Sequence, residues 1–435
     1  MRKKIYSRRE FLRGALAATG AVAAAGLASC APPATPVPAA PEATPTPAPA
    51  KVEITYAFHD DSKPREQMVK VFNETVPDVV VNLLQIPEDF PTKVLTMAAA
   101  GTLPDVVRMW EAMVLEMGRA GQVIDLQPMI DAEPDFHPED FLESLYNFTL
   151  IDGKRFGISD GWAGHYAFYN KDLFDAGEVP YPEAEWTWDV YVDKAKMLSK
   201  PEEKIWGSDT IPIGWTHYSF KFIWQNGGRV FNDDYTECLL DRPEAIEGIQ
   251  FWADLLQQAE IMPTPAQAEG LGDLFQTGRV AIQRMGSWIM RALAQGDFAW
   301  DLVPEPKRKE RRTLIHTAFN AIANISKHKD AAWKWLNFAV GPEGSYIYTS
   351  YLTFPATRRS VNERKPWVIE GVEASWDFIP EAGEYGIVVP APPNEGEVLK
   401  LIGDAFQAIY LGKQTAEEAL TEVTPKVNEA LRREM

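Results

Sequence analysis

Val52-Glu53-Ile54-Thr55-Tyr56-Ala57-Phe58, then Val79-Val80-Val81-Asn82-Leu83-Leu84, then Asp105-Val106-Val107-Arg108-Met109 are the stretches on which the fold class turns. The first alternates apolar with more polar residues at the two-residue period of a strand partly open on one face. The second is a β-branched apolar run of strand length. Between them Met68, Val69 and Phe72 fall on one side of a helix, and Phe90 to Ala100 reads as another helix, stopped by Gly101. Strand and helix alternating at this spacing predict the α/β class: a parallel sheet wrapped by helices, with ligands beyond the carboxyl ends of the strands.

Further along, helices carry their own start and stop signals. Thr187 precedes Trp188, Tyr191, Ala195 and Leu198, and Asp241-Arg242-Pro243-Glu244 opens a helix through Ile249, Trp252 and Leu256. Ala332, Trp335 and Ala339 repeat at helical spacing until Gly341-Pro342. Thr415-Ala416-Glu417-Glu418 opens the last helix, in which Pro425 predicts a kink or a break. Trp252, Trp333 and Trp335 sit at helical spacings and are read as packing residues.

At 435 residues the chain is long enough for two or three domains of about 100 to 200 residues each. Its 46% hydrophobic and 24% charged content is that of a globular protein. A formal net charge of -19 repels phosphate backbones, so nucleic acid is excluded as a partner. Two cysteines, Cys30 and Cys238, cannot build a disulfide framework or a multi-cysteine metal site, and Cys238 reads as a small core hydrophobe. Trp, at 14 residues, is as numerous as Tyr, so indole rings have a use here beyond ordinary packing.

Residues 1–30 read as an address. Six basic residues precede Ala15 to Ala28, an apolar run too short to span a membrane, which needs about 20 residues. Ser7-Arg8-Arg9-Glu10-Phe11-Leu12 looks like the twin-arginine export motif, and Leu27-Ala28-Ser29-Cys30 resembles the bacterial lipobox, making Cys30 the lipid anchor. Residues 31–50 hold eight Pro, seven Ala and three Thr, the composition of a semi-rigid extended stalk rather than a core. Residues 51–435 are then one compact body tethered to a membrane surface through its lipid alone.

Nucleotide-binding glycine loops, a His-Glu-x-x-His helix, Cys-x-x-Cys pairs and the Gly-x-Ser-x-Gly elbow are all missing, so no cofactor, no metal and no catalytic residue is assigned. The six histidines, His59, His137, His165, His217, His316 and His328, form no i, i+4 pair and are read as surface or loop residues. Aromatic and polar residues do gather where strands or turns end. His59-Asp60-Asp61 follows the first strand and Trp110-Glu111 the third; Asp160-Gly161-Trp162 follows an apparent short strand pair, and Gly286-Ser287-Trp288 follows Val280 to Met285. A flat ring beside carboxylates and amides suits the C–H face and the hydroxyls of a sugar.

At this point the sequence resembles the extracellular family 1 solute-binding lipoproteins of ABC importers, the group that includes maltose-binding protein. The resemblance covers nearly all of 51–435. It is carried by Leu103-Pro104-Asp105-Val106-Val107, Tyr169-Asn170-Lys171-Asp172-Leu173-Phe174 with Thr187-Trp188-Asp189, Asn226-Gly227-Gly228, Phe275 to Ile282 leading to Trp288, and Phe354-Pro355-Ala356. It implies a two-lobed periplasmic-binding-protein fold of the class II type, with lobes near 51–160 plus 316–350 and 163–305 plus 355–435. A multi-strand hinge joins them, with crossings near Gly161, in 304–316 and near Tyr351.

By the same resemblance Asp60, Asp61, Trp110 and Glu111 belong to the first lobe, Trp215, Tyr218 and Trp288 to the second, and Trp162, His165, Phe319 and Asn320 fall near the hinge. The expected role is capture of a saccharide by a monomer and its delivery to ABC permease subunits outside the cytoplasmic membrane. A same-fold receptor for a polyamine, phosphodiester or peptide and a secreted glycoside hydrolase are the competing readings. One departure from the family is Lys307-Arg308-Lys309-Glu310-Arg311-Arg312, which takes the place of the usual glycine after Pro304-Glu305-Pro306; it reads as a solvated loop, with permease contact as the alternative.

Overall fold

The computed structural model describes residues 51–209, 215–257 and 260–433. The export motif, the lipobox with Cys30 and the Pro-rich stalk lie outside the described residues. Eleven strands follow one another: β1 Val52–Phe58, β2 Val79–Gln85, β3 Val106–Trp110, β4 Leu150–Ile151, β5 Lys154–Arg155, β6 Ile158–Asn170, β7 Trp206–Ser208, β8 Val280–Gly286, β9 Trp300–Val303, β10 Thr313–Ile322 and β11 Gly386–Val388. Strands β4 and β5 form a small hairpin, and the other nine make one sheet along the path β2-β1-β3-β10-β6-β8-β7.

Strands β1, β2 and β3 are parallel as expected, with helices Ser62–Thr75 and Phe90–Ala99 as the crossovers. The sheet is not parallel throughout, because β10 runs antiparallel to β3 and to β6, and β6 antiparallel to β8 and β9. The first half of β6 pairs with β10 and its second half lies between β8 and β9, so one thirteen-residue strand passes from one end of the sheet to the other. Asp160-Gly161-Trp162 therefore lies inside a strand, not at a strand end. Tyr351, the third expected crossing, lies in helix Pro342–Leu352; the segment after it reaches β6 through the Pro355 carbonyl, which accepts from the Trp162 amide at 3.0 Å.

Four buried apolar clusters flank this sheet. Two surround the β1–β3 end, with Phe58, Phe72 and Trp335 in one and Val107, Met109 and Phe319 in the other. Two surround the β8–β9 end, one holding Trp252, Phe406 and Cys238, the other Trp162, Tyr166 and Phe168. The expected packing roles of Trp252, Trp333 and Trp335 hold, since all three are buried. Thr187 accepts from the Val190 amide to cap helix Trp188–Leu198, and Thr415 with Glu418 forms a full capping box on helix Ala416–Arg432. That last helix runs through Pro425 without a break, held by buried residues on both sides of it such as Leu420, Val427 and Leu431.

Where β1, β3 and β6 approach one another, two buried arginines meet a buried acid, Asp160, and a partly buried one, Asp60. Asp160 accepts from Arg65 at 2.8 Å and from Arg108 at 3.2 Å, and Asp60 pairs with both arginines at 3.3 Å. The Tyr348 ring lies 3.7 Å below the Arg65 guanidinium, and its hydroxyl donates to Asp60 at 2.7 Å. Charge balances within the set, which is what allows it to be dry. Replacing Asp160 with Ala leaves two buried guanidinium groups sharing Asp60 alone, one positive charge uncompensated, and is expected to destabilise the protein by about 3 to 5 kcal/mol in urea unfolding; a loss below about 1 kcal/mol would show that the network contributes little.

Candidate functional site

On the β1–β3 side, the first ring shelf is Trp110, the last residue of β3 and 38% exposed. Its Nε1 donates to His59 Nε2 at 3.0 Å, and the two rings sit 4.7 Å apart with Phe90 behind them. Burial first, and then the charge of Arg108, lower His59 to about 4, so it is neutral and able to accept that bond. Asp60 does not stand free beside this shelf: burial works to raise its carboxyl, but Arg65 and Arg108 outweigh it and leave the group at about 2, tied into the ion network. Asp61 is exposed and caps helix Ser62–Thr75 by accepting from the Lys63 amide. Glu111, expected beside the solute, is instead buried, with Oε1 accepting from the Thr317 amide at 2.7 Å where the β6–β10 register shifts.

The second ring set is larger. Trp215 is 54% exposed and leads into Tyr218, whose ring packs 4.7 Å from His165. Trp288 lies 5.3 Å from His165 and 5.5 Å from His316, and His217 lies 5.2 Å from His316. Trp288 can fold back over its own strand because residue 286 is glycine: a Cβ there would meet the indole at 2.0 Å. His165 is fully buried, yet neither ring nitrogen has a hydrogen-bond partner among the described residues; Nε2 of His217, Nε2 of His316 and Oγ of Ser287 are likewise unpartnered. Burial holds His165 and His316 well below the ordinary imidazole value, with the Lys221 charge adding to it, and burial lowers His217 to about 4. All are neutral at pH 7, each offering one donor and one acceptor.

The structure brings His165, Trp215, Tyr218 and Trp288 together and adds His217 and His316, which the scattered histidines had not suggested. Trp162 is not among them. Along β6 side chains alternate, so Trp162 faces Tyr166 and Phe168 while His165 faces the other way; Trp162 is 1% exposed and donates to the Ala356 carbonyl. Phe319 stacks on Phe148 at 5.3 Å within the core, and Asn320 is buried, accepting from Tyr56 and donating to the Ile158 carbonyl. Neither belongs to a ring shelf. Two carboxyls are raised as well: burial lifts Glu111 to about 7, and burial with the charges of Glu111 and Glu116 lifts Glu395, the first residue of helix Glu395–Tyr410, to about 8. In the basic run, Lys307 and Arg311 pair with Glu185, and Arg308 and Lys309 with Glu247. Among the described residues no group of three or more His, Cys, Asp or Glu is placed to hold a metal ion.

Residues 58–346 match the family described as bacterial extracellular solute-binding protein. The chain belongs to that family. An ABC substrate-binding protein of Listeria monocytogenes, solved with cycloalternan, superposes with a TM-score of 0.79 at 28% identity, covering 87% of this chain and 98% of that one. A cyclic α-maltosyl-1,6-maltose binding protein of Arthrobacter globiformis superposes at 0.74 and 21% identity, covering 88% and 100%. An arabinooligosaccharide-binding protein of Halalkalibacterium halodurans is 26% identical over 85% of this chain and 82% of its own length. The fold of this solute-binding protein is thus the two-lobed one of its relatives, and the family acts by binding rather than by turnover.

These protonation states set the pH profile of stability. A histidine depressed from 6.5 to about 4 contributes stability that is complete above 6.5 and lost as pH falls through 4. Carboxyls raised to about 7 and 8 do the reverse: their contribution is complete below 4.5 and lost as pH rises through those values. Thermal melts from about pH 4 to 9 are expected to peak near pH 6 to 6.5, and Glu395→Gln to flatten the alkaline fall; an unchanged alkaline limb in that variant removes Glu395 as its source.

Proposed function

We propose that this protein captures a carbohydrate between the Trp110–His59 shelf and the Trp215, Tyr218 and Trp288 rings, and delivers it to the membrane subunits of an ABC importer. The observation that carries the reading is His165: a buried imidazole whose two nitrogens have no partner among the described residues, packed edge-on to Tyr218 and Trp288. Buried polar atoms in native proteins have partners, so these atoms and the neighbouring His217, His316 and Ser287 call for a ligand rich in hydroxyls. Apolar faces for ring stacking and neutral donors and acceptors for hydroxyls are the two halves of sugar chemistry. The relatives solved with cycloalternan, or named for cyclic α-maltosyl-1,6-maltose and arabinooligosaccharide, support the same substrate class.

In this proposal the lobes are 51–160 plus 316–350 and 163–305 plus 355–435, and β6 and β10 are hinge strands. A solute touching both lobes binds the closed form better than the open one and shifts the population toward it, which is the state a permease would recognise. Acyl chains on Cys30 hold the protein at the outer face of the cytoplasmic membrane, and residues 31–50 keep the lobes within reach of the permease.

Tryptophan fluorescence and melting temperature, titrated with a panel of mono- and oligosaccharides, test this. A micromolar binder is expected, corresponding to about -8 kcal/mol, with no release of reducing sugar. Trp288→Ala is expected to weaken it by at least tenfold. Unchanged affinity in that variant removes Trp288 from the site, and turnover of the sugar would replace the carrier with an enzyme.

A further inference from the structure

One guanidinium beside the larger ring set has nitrogens without a hydrogen-bond partner among the described residues. Arg284, on β8, is 7% exposed, and its Nη1 and Nη2 are buried without a hydrogen-bond partner among the described residues. The strand register places it. Arg284 stands opposite Ala167 and Gly286 opposite His165, and directly paired residues project to the same face, so Arg284, Gly286 and His165 share one side of the sheet. The Trp288 indole lies over Gly286 on that side, which puts Arg284 two residues, about 7 Å, inward along the strand from the ring shelf. Its guanidinium lies over the rings of Phe222 at 4.5 Å and Tyr191 at 5.1 Å.

Two acids near Arg284 make hydrogen bonds to other groups. Glu305 pairs with the buried Lys221 and accepts from Gln225 at 3.0 Å, and Asp209 accepts from Gln283 at 2.8 Å. The Tyr191 hydroxyl is bonded to Ser208. Aromatic faces soften a buried cation, but they offer no acceptor to its N–H fork. A buried unpaired guanidinium is unfavourable, and the group that relieves it best is a planar or tetrahedral oxyanion taken in bidentate fashion.

Resting on the saccharide reading above, we propose that the solute is an anionic saccharide whose carboxylate, phosphate or sulfate is received by Arg284 while its ring stacks on Trp288. Neutral His165 and Ser287 Oγ then supply the hydrogen bonds flanking the acid. A neutral sugar in the same place would leave the arginine uncompensated, so the charge acts as a filter.

Calorimetry on the purified full chain with matched pairs tests this: neutral di- and trisaccharides of the gluco, galacto and manno series, their uronate counterparts, and the corresponding 6-phosphates and 6-sulfates. At least one acidic member is expected to bind 30-fold or more tighter than its neutral parent, and which arm responds names the acid. Arg284→Met is expected to bring the pair within threefold, and Arg284→Lys to keep part of the preference. Acidic and neutral members binding alike, or a preference surviving in Arg284→Met, would overturn the proposal and leave Arg284 as a structural cation held by Phe222 and Tyr191. Binding of neutral members alone sinks this inference while the saccharide reading stands; silence across the whole panel sinks both, and neither of these two outcomes depends on a variant folding.

Discussion

The two-residue pleat of β6 governs what this protein can present to a solute. Thirteen consecutive residues, Ile158 to Asn170, are all buried, and each must face one side of the sheet or the other. Odd positions, Ala163, His165 and Ala167, look toward the β8 face that carries Arg284 and the Trp288 indole; even positions, Trp162, Tyr166 and Phe168, fill the opposite core. A shift of one residue would bury His165 among apolar rings and bring Trp162 to the solute side. Because β6 pairs with β10 over one half and with β8 and β9 over the other, that register also fixes how the two ends of the sheet are joined.

Electrostatics follow the same division. At the β1–β3 end, Asp60, Asp160, Arg65 and Arg108 neutralise one another and are sealed by Tyr348, giving a rigid base with no charge left for a ligand. At the β8 end, the histidines are driven neutral by burial, Lys221 is balanced by Glu305, and Arg284 Nη1 and Nη2 have no hydrogen-bond partner among the described residues. At the β1–β3 end charge is compensated within the protein, whereas beside the larger ring set the histidines are neutral and Arg284 is charged, all with nitrogens that lack a hydrogen-bond partner among the described residues. That asymmetry separates the frame from the binding surface, and it does so without any motif that could be read along the chain.

Much of the frame was legible. β1 runs over the residues that alternate in the sequence, helix Trp188–Leu198 starts after the expected Thr187 cap, and Thr415 and Glu418 form the expected capping box. These features depend on residues a few positions apart, where period and capping chemistry are complete in themselves. Of the kink or break expected at Pro425, the break does not occur, because burial on both flanks of the helix outweighs one missing amide. Among the candidates at strand or turn ends, Trp110 and Trp288 lie on a ring shelf while Asp60, Asp61, Glu111 and Trp162 do not; among those assigned by nearness to the hinge, His165 joins the larger ring set, and Phe319 and Asn320 are core residues whose facing the pleat had already decided.

The chain alone was enough to establish an α/β body and, through several short motifs in order, the family. It could not say that His165, His217 and His316 would meet, since their contacts come from strands and turns far apart in the chain and brought together only by pairing. Nor could it show that Arg284 Nη1 and Nη2 would lack a hydrogen-bond partner among the described residues, because an arginine in a strand is ordinary until two acids near it are seen to make hydrogen bonds to other groups. Periodicity and caps are short-range properties of the polypeptide; register, burial and the balance of charge are properties of the packed whole, and it is these that choose which residues meet a solute.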